Sequence, residues 1–161
     1  MVDLLVQLDA NGYGPKDVLF QQIKDDHTAL VESVQALTTA FYTQHLNYVA
    51  LENDTAHLLD HLERNQMPWG IVTNGSANEM LKIQKLGLDA RTSCIFASEM
   101  VGVRQPASAV FLRAAACMQI ELGKILFVGD HPEADIAGAR VTGMRTAWLR
   151  RGRRWPESET V

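Results

Sequence analysis

Cysteine is scarce in this sequence: Cys94 and Cys117 are the only two among 161 residues. Their placement suits neither a disulfide framework nor a metal knuckle, so they read as buried free thiols in a reducing compartment. No apolar run approaches the roughly 20 residues a membrane span needs, and the N-terminus lacks the basic-then-apolar order of a signal peptide. The reading is a protein of the cytoplasm with no membrane partner. Excess positive charge is also missing. A formal net charge of −4 argues against a nucleic-acid binder that works by neutralising phosphates. The one basic cluster, Arg150, Arg151, Arg153 and Arg154, reads as a solvated tail. Internal repeats and low-complexity segments are lacking too, which excludes solenoids and linker proteins. What is present is 47% hydrophobic residues, enough to build the core of one ordinary domain.

The apolar pattern divides the chain. From Lys16 to Val49 no glycine or proline interrupts a helical rhythm in which Val18, Leu19, Ile23, Leu30, Val31, Val34, Leu37 and Phe41 recur at three- and four-residue intervals. A helix from about Asp54 to Asn65 follows, its apolar face formed by Leu58, Leu59 and Leu62. From Trp69 the period changes. WGIVTN (Trp69–Asn74), CIFAS (Cys94–Ser98), ILFVGD (Ile125–Asp130) and RTAWL (Arg145–Leu149) read as strands. Helices alternate with them: Ser76 and Glu79 form a capping box with a stop at Gly87, one helix opens near Pro106, and another runs from Pro132 to Gly143. Such alternation predicts an α/β fold, a Rossmann-like parallel sheet with helices on both faces, plus an N-terminal helical region. The expected division is a helical region over 1–52, a core over 53–150 and a tail over 151–161.

In a parallel sheet of this kind, ligands bind beyond the carboxyl ends of the strands. The residues there are Thr73, Asn74, Ser98, Gly129 and Asp130. Asp130 and Asp135 flank the turn of VGDHPEAD. Two carboxylates so placed suit Mg2+, a hard cation that takes one or two carboxylates together with a substrate phosphate. The plainer reading is that Asp135 only favours the first turn of its helix through the macrodipole. Thr73, with the amides of the turn that opens the next helix, could receive an anion.

In the order VTNG, GVRQP, VGDHPEAD, the chain resembles the haloacid dehalogenase-like (HAD-like) hydrolase superfamily over about Asn53 to Leu149. The resemblance implies magnesium-dependent hydrolysis of a small phosphorylated molecule on a Rossmann-like core. It makes Thr73 and Asp130 candidate catalytic residues. Thr73, Asn74 and Gln105 match substrate-binding positions, and Asp130 and Asp135 match the acidic motif that holds the cation. The helical stretch before Asn53 looks like the cap that such enzymes insert over the site.

Two departures from the family's pattern bear on activity. GVRQP carries Gln105 where the family has a lysine, and a neutral hydrogen bond is about half as strong as a charge-assisted one. Arg104 is adjacent, but neighbouring side chains in an extended segment point apart. The second departure concerns the nucleophile. LDANGYG (Leu8–Gly14) offers Asp9 after the alternating Val2, Leu4, Val6 and Leu8. Asn11 stands where an aspartate acid/base belongs, however, and an amide cannot protonate a leaving alcohol. Asp9 also lies only 64 positions before Thr73, closer than is usual in family members with a helical cap. The stretch therefore reads as a turn between cap helices, and the chain as one that begins within the cap and lacks the nucleophile strand. On this reading it is a truncated or catalytically impaired phosphatase. Ile125–Asp130 and Trp69–Asn74 must then pair directly, take up Val2–Leu8 between them, or borrow a strand. A homodimer covering the open edges is a corollary.

Other features carry less. His57 and His61 stand at i, i+4 spacing without a third ligand and read as an exposed helix face. His131 could touch substrate or face water, and Trp69 and Trp148 read as packing. Two alternatives to the hydrolase remain: a non-catalytic relative that binds or interacts, and a receiver-like signalling domain. The last is disfavoured, because receivers carry a lysine on their final strand and RTAWL has none.

Overall fold

The computed structural model describes residues 8, 9, 14–75 and 77–156. The chain divides into two compact units, Met1–Val49 and Ala50–Val161.

In the first unit the helical stretch is not continuous. Helix α1 spans Lys16–Asp26 and α2 spans Val34–Gln44, which corrects the single run expected from Lys16 to Val49. The break has local causes. Ser33 caps α2, its Oγ accepting from Ala36 N at 3.1 Å. Lys24, in the last turn of α1, donates to the carbonyls of Leu30 and Glu32 and so holds the connection. The two helices pack as a hairpin, with Phe20 edge-on to Phe41 at 6.1 Å and the Lys16 ammonium 5.6 Å from the Phe41 ring centre.

The second unit opens with α3 (Asn53–Arg64). Leu58, expected on its apolar face, is exposed, whereas Leu59 and Leu62 are half-buried. Strand β1 (Ile71–Thr73), α4 (Ala77–Lys85), β2 (Ile95–Ala97) and the short α5 (Ser98–Val101) follow. Next come α6 (Ser108–Met118) and β3 (Leu126–Gly129). A π-helical turn over Pro132–Ala137 leads into α7 (Gly138–Val141), and β4 (Arg145–Trp148) closes the order. Gly87 and Gly143, both at positive φ, end the helices as expected. Ser76 of the proposed capping box lies outside the described residues.

All strand pairing is parallel. β1 runs beside β2 with Thr73 opposite Ala97, and β3 beside β4 with Gly129 opposite Trp148. Among the described residues these are two separate pairs, so the direct pairing of β1 with β3 does not occur. Residues 2–7, the other candidate neighbour, lie outside the described residues. Helix α6 joins the pairs: it packs on β1 and β2, and its Phe111, fully buried, meets Phe127 of β3 edge-to-face at 5.0 Å. Val110, Ala115, Ile125, Ala139 and Met144 complete this core. The opposite face of β3 is open, with Leu126 and Val128 about half exposed.

The cysteines correct another expectation. Cys94 is buried, but Cys117 is exposed, and the two form a disulfide between the start of β2 and the end of α6, 23 residues apart. Linear spacing hid this, because the packing of α6 on β2, with the end of the helix beside the start of the strand, is what brings their Cα atoms to 5.7 Å. The bond replaces the free thiols expected from the sequence. Closing a loop of this size restricts the unfolded chain, and Cys117→Ser is expected to lower the unfolding free energy by roughly 2–3 kcal/mol. Urea unfolding under non-reducing conditions checks this. Equal midpoints for wild type and variant would mean the thiols are free.

Arg91 clasps α3 by donating to Glu63 at 2.8 and 2.9 Å and to Asp60 at 2.7 Å. The hydrogen bond from Arg91 holds the Glu63 carboxyl below the usual glutamate range.

Candidate active site

The site begins where β1 ends. Thr73 and Asn74 are half-buried there, and the Asn74 side chain grips the main chain of Gln105: Nδ2 donates to its carbonyl at 3.0 Å, and Oδ1 accepts from its N–H at 2.7 Å. An asparagine amide carries a donor and an acceptor side by side, so it pairs with a backbone unit as another strand would. This grip places the GVRQP segment beside β1. Gln105, itself buried, then donates from Nε2 to Asp135 Oδ1 at 2.9 Å.

Asp135 is the hub. Its Oδ2 accepts from the main-chain N–H groups of Asp130 at 3.0 Å and His131 at 2.9 Å. The carboxylate thus folds back over the turn at the end of β3. Two glycines make room for it. A Cβ on Gly129 would lie 2.4 Å from the Asp135 side chain, and one on Gly138 would lie 2.9 Å from Pro106 and from the Phe111 ring. The first lets Asp135 reach the turn, and the second lets the Gln105–Pro106 segment reach Asp135.

Asp130 meets the end of the chain. Arg153 Nη2 lies 3.1 Å from Asp130 Oδ2 and donates to the Asp130 carbonyl at 2.7 Å. That carbonyl also accepts from Trp148 Nε1 at 3.1 Å, and Arg151 stands 4.0 Å from the carboxylate. The arginine cluster is therefore not simply a solvated tail, and Trp148 does more than pack. The register explains both. Because Trp148 is opposite Gly129, whatever follows β4 must pass Asp130. His131 Nδ1 accepts from Ala134 N at 3.1 Å and caps the π-helical turn.

Four of the five sequence candidates, Asn74, Gln105, Asp130 and Asp135, thus belong to one hydrogen-bonded network, with Thr73 next in the chain to Asn74. Asp9 belongs to the first unit. Lys16 Nζ pairs with its carboxylate at 2.5 Å and donates to Gly14 O at 3.0 Å, while Gly14 N donates to Asp9 O at 2.9 Å. These bonds tie Asp9, Gly14 and Lys16 together. Asn11 lies outside the described residues.

The donor set can be tested against magnesium, which demands near-octahedral oxygen coordination. Both Asp135 oxygens already accept N–H bonds, and Asp130 carries a guanidinium. Among the described residues no cluster of three or more acidic, histidine or cysteine side chains could hold a metal. The described residues alone do not fit a magnesium site.

The sequence and the fold both have counterparts among known proteins. The model of the haloacid dehalogenase-like hydrolases matches residues 13–149. The chain belongs to that family. A ribulose-1,5-bisphosphate 5-phosphatase of Halopiger xanaduensis is 31% identical over 69% of this chain and 47% of its own length. A phosphoserine phosphatase of Thermus thermophilus is 26% identical over 91% and 59%. Among solved structures, the HAD-hydrolase YfnB of Bacillus subtilis, bound to magnesium, superposes with a TM-score of 0.71 at 23% identity, over 88% of this chain and 64% of its own. That is a likeness of fold. The chain spans about half the length of the curated relatives it matches. No helix among its described residues is long and apolar enough to cross a membrane.

Proposed function

We propose that this HAD-like chain carries the phosphate-ester site of a phosphatase acting on small phosphorylated molecules, and that its described residues are impaired for turnover. One observation carries the reading: the Asn74–Gln105–Asp135–Asp130 network gathers the matched residues at the strand ends, with a neutral amide where the resemblance implies a lysine. Gln105 is a neutral amide that donates to Asp135, and it brings no positive charge to a bound phosphate or to an attacking carboxylate. Relatives named as phosphatases of sugar and amino-acid phosphates support the substrate class. In this reading the first unit is the cap, Thr73 and Asn74 border the phosphate, and Asp130 is the one carboxylate at the network's outer end. Magnesium would have to compete there with Arg153 and draw its other ligands from outside the described residues. A homodimer covering the open sheet edges belongs to the same reading.

Hydrolysis of p-nitrophenyl phosphate with and without magnesium, in wild type, Asp9→Asn and Asp130→Asn, tests it. The expected result is a rate near background in wild type that Asp9→Asn does not change. Fast magnesium-dependent turnover abolished by Asp9→Asn would overturn the impaired reading and make Asp9 the nucleophile.

A further inference from the structure

The GVRQP segment sends consecutive side chains to opposite sides. Gln105 turns inward to Asp135 and is buried. Arg104 turns outward, is exposed, and lines a cleft of about 400 Å³ together with Asn74, Gly75, Ser98, Glu99 and Gly102. Adjacent side chains do point apart, as the sequence suggested. The direction Arg104 takes, however, is the wall of a cleft that begins at Asn74.

That cleft sits where an α/β sheet receives ligands. Asn74 and Gly75 follow the carboxyl end of β1, and Ser98 and Glu99 follow that of β2. Its wall is closed by main-chain and hydroxyl bonds to one carbonyl: Glu99 N and Ser98 Oγ both donate to Gly75 O at 3.4 Å. Its volume lies within the range of small-molecule sites. Asn74 also supplies the link to the site above, since it holds the backbone of Gln105 immediately after Arg104. The Arg104 guanidinium has no ion pair with the described residues, Glu99 included, although both border the same cleft.

We propose that Arg104 is the anion-binding side chain of this cleft, taking a phosphate monoester whose phosphate lies against its guanidinium and whose hydroxyl is accepted by Glu99. A guanidinium offers a planar fork of donors that matches two phosphate oxygens at once, which neither Gln105 nor a lysine can do. Glu99, a lone acid facing the same space, disfavours a second acidic group and favours a hydroxyl donor. The cation of this cleft thus stands one residue before Gln105, on the opposite, solvent side of the segment. The proposal rests on the phosphate-ester reading above and names the side chain that would select the ligand.

Calorimetric titration of the full chain with inorganic phosphate, and separately with glycerol 3-phosphate, tests it. Arg104→Ala is expected to weaken both about tenfold or more, and Arg104→Lys to recover part of the loss. Glu99→Gln should tighten inorganic phosphate and remove the preference for glycerol 3-phosphate. Arg104 is exposed, so circular dichroism of Arg104→Ala should match wild type. Equal affinities in wild type and Arg104→Ala, or no phosphate binding by wild type, would overturn the proposal. Failure of the hydrolase reading is separable. Arg104-dependent binding without hydrolysis sinks only turnover, whereas hydrolysis with an unchanged KM in Arg104→Ala sinks only the role of Arg104.

Discussion

Phe111→Ala is expected to lower the unfolding free energy by about 4 kcal/mol. Phe111 is fully buried, and it packs where the two strand pairs depend on a shared partner. Its helix, α6, lies on β1 and β2, while its ring meets Phe127 of β3 and abuts Gly138 of α7. Truncation removes apolar surface and leaves a cavity between elements that are not hydrogen-bonded to one another among the described residues. Urea unfolding followed by far-UV circular dichroism measures the loss. A cost below about 1 kcal/mol would mean that the strand pairs do not share a core through α6. Two separated transitions in the variant, against one in wild type, would show which pair depends on Phe111 more.

Asp135→Ala is expected to cost a similar amount, about 4 kcal/mol, for a different reason. The Asp135 carboxylate accepts three N–H bonds, two from the main chain at Asp130 and His131 and one from Gln105. Bonds to a charged acceptor are stronger than neutral ones, and deleting the acceptor leaves the donors without their partner. Asp135→Asn separates shape from charge. Its oxygen can still serve the two main-chain donors, and Gln105 can turn its own oxygen toward the new amide, so its cost should be about 1–2 kcal/mol. Denaturant titration of both variants supplies the comparison. If alanine and asparagine prove equally stable, the three bonds do not hold the turn. The consequence for the site is direct, since the same turn carries Asp130 and the same bond fixes Gln105.

Much of the fold was legible because local rules and long-range packing agreed. The four strands fall within the apolar runs that end at Asn74, Ser98, Asp130 and Leu149, and glycines stop α4 and α7 where the apolar pattern stops. Legibility failed where the determinant was a partner distant in sequence. The break between α1 and α2 contains neither glycine nor proline. It depends on the Ser33 cap and on Lys24 reaching carbonyls six and eight residues ahead. Cys94 and Cys117 looked unrelated until α6 packed against β2. Arg153 looked solvated because its partner lies 23 residues earlier, in the turn after β3.

The sequence by itself determined the α/β alternation, the strand-end positions of Thr73, Asn74 and Asp130, and the loss of a charge at Gln105. Each of these is written in periodicity or in the identity of a single residue, and both survive any arrangement of the elements. Only the tertiary structure decided what those residues touch. It gave the Asp135 carboxylate three N–H donors, brought Arg153 to Asp130, and set Arg104 rather than Gln105 along the cleft at Asn74. The physical reason is that a hydrogen bond or an ion pair depends on distance and direction between groups, and for residues 18 to 31 positions apart those are set by how strands and helices pack.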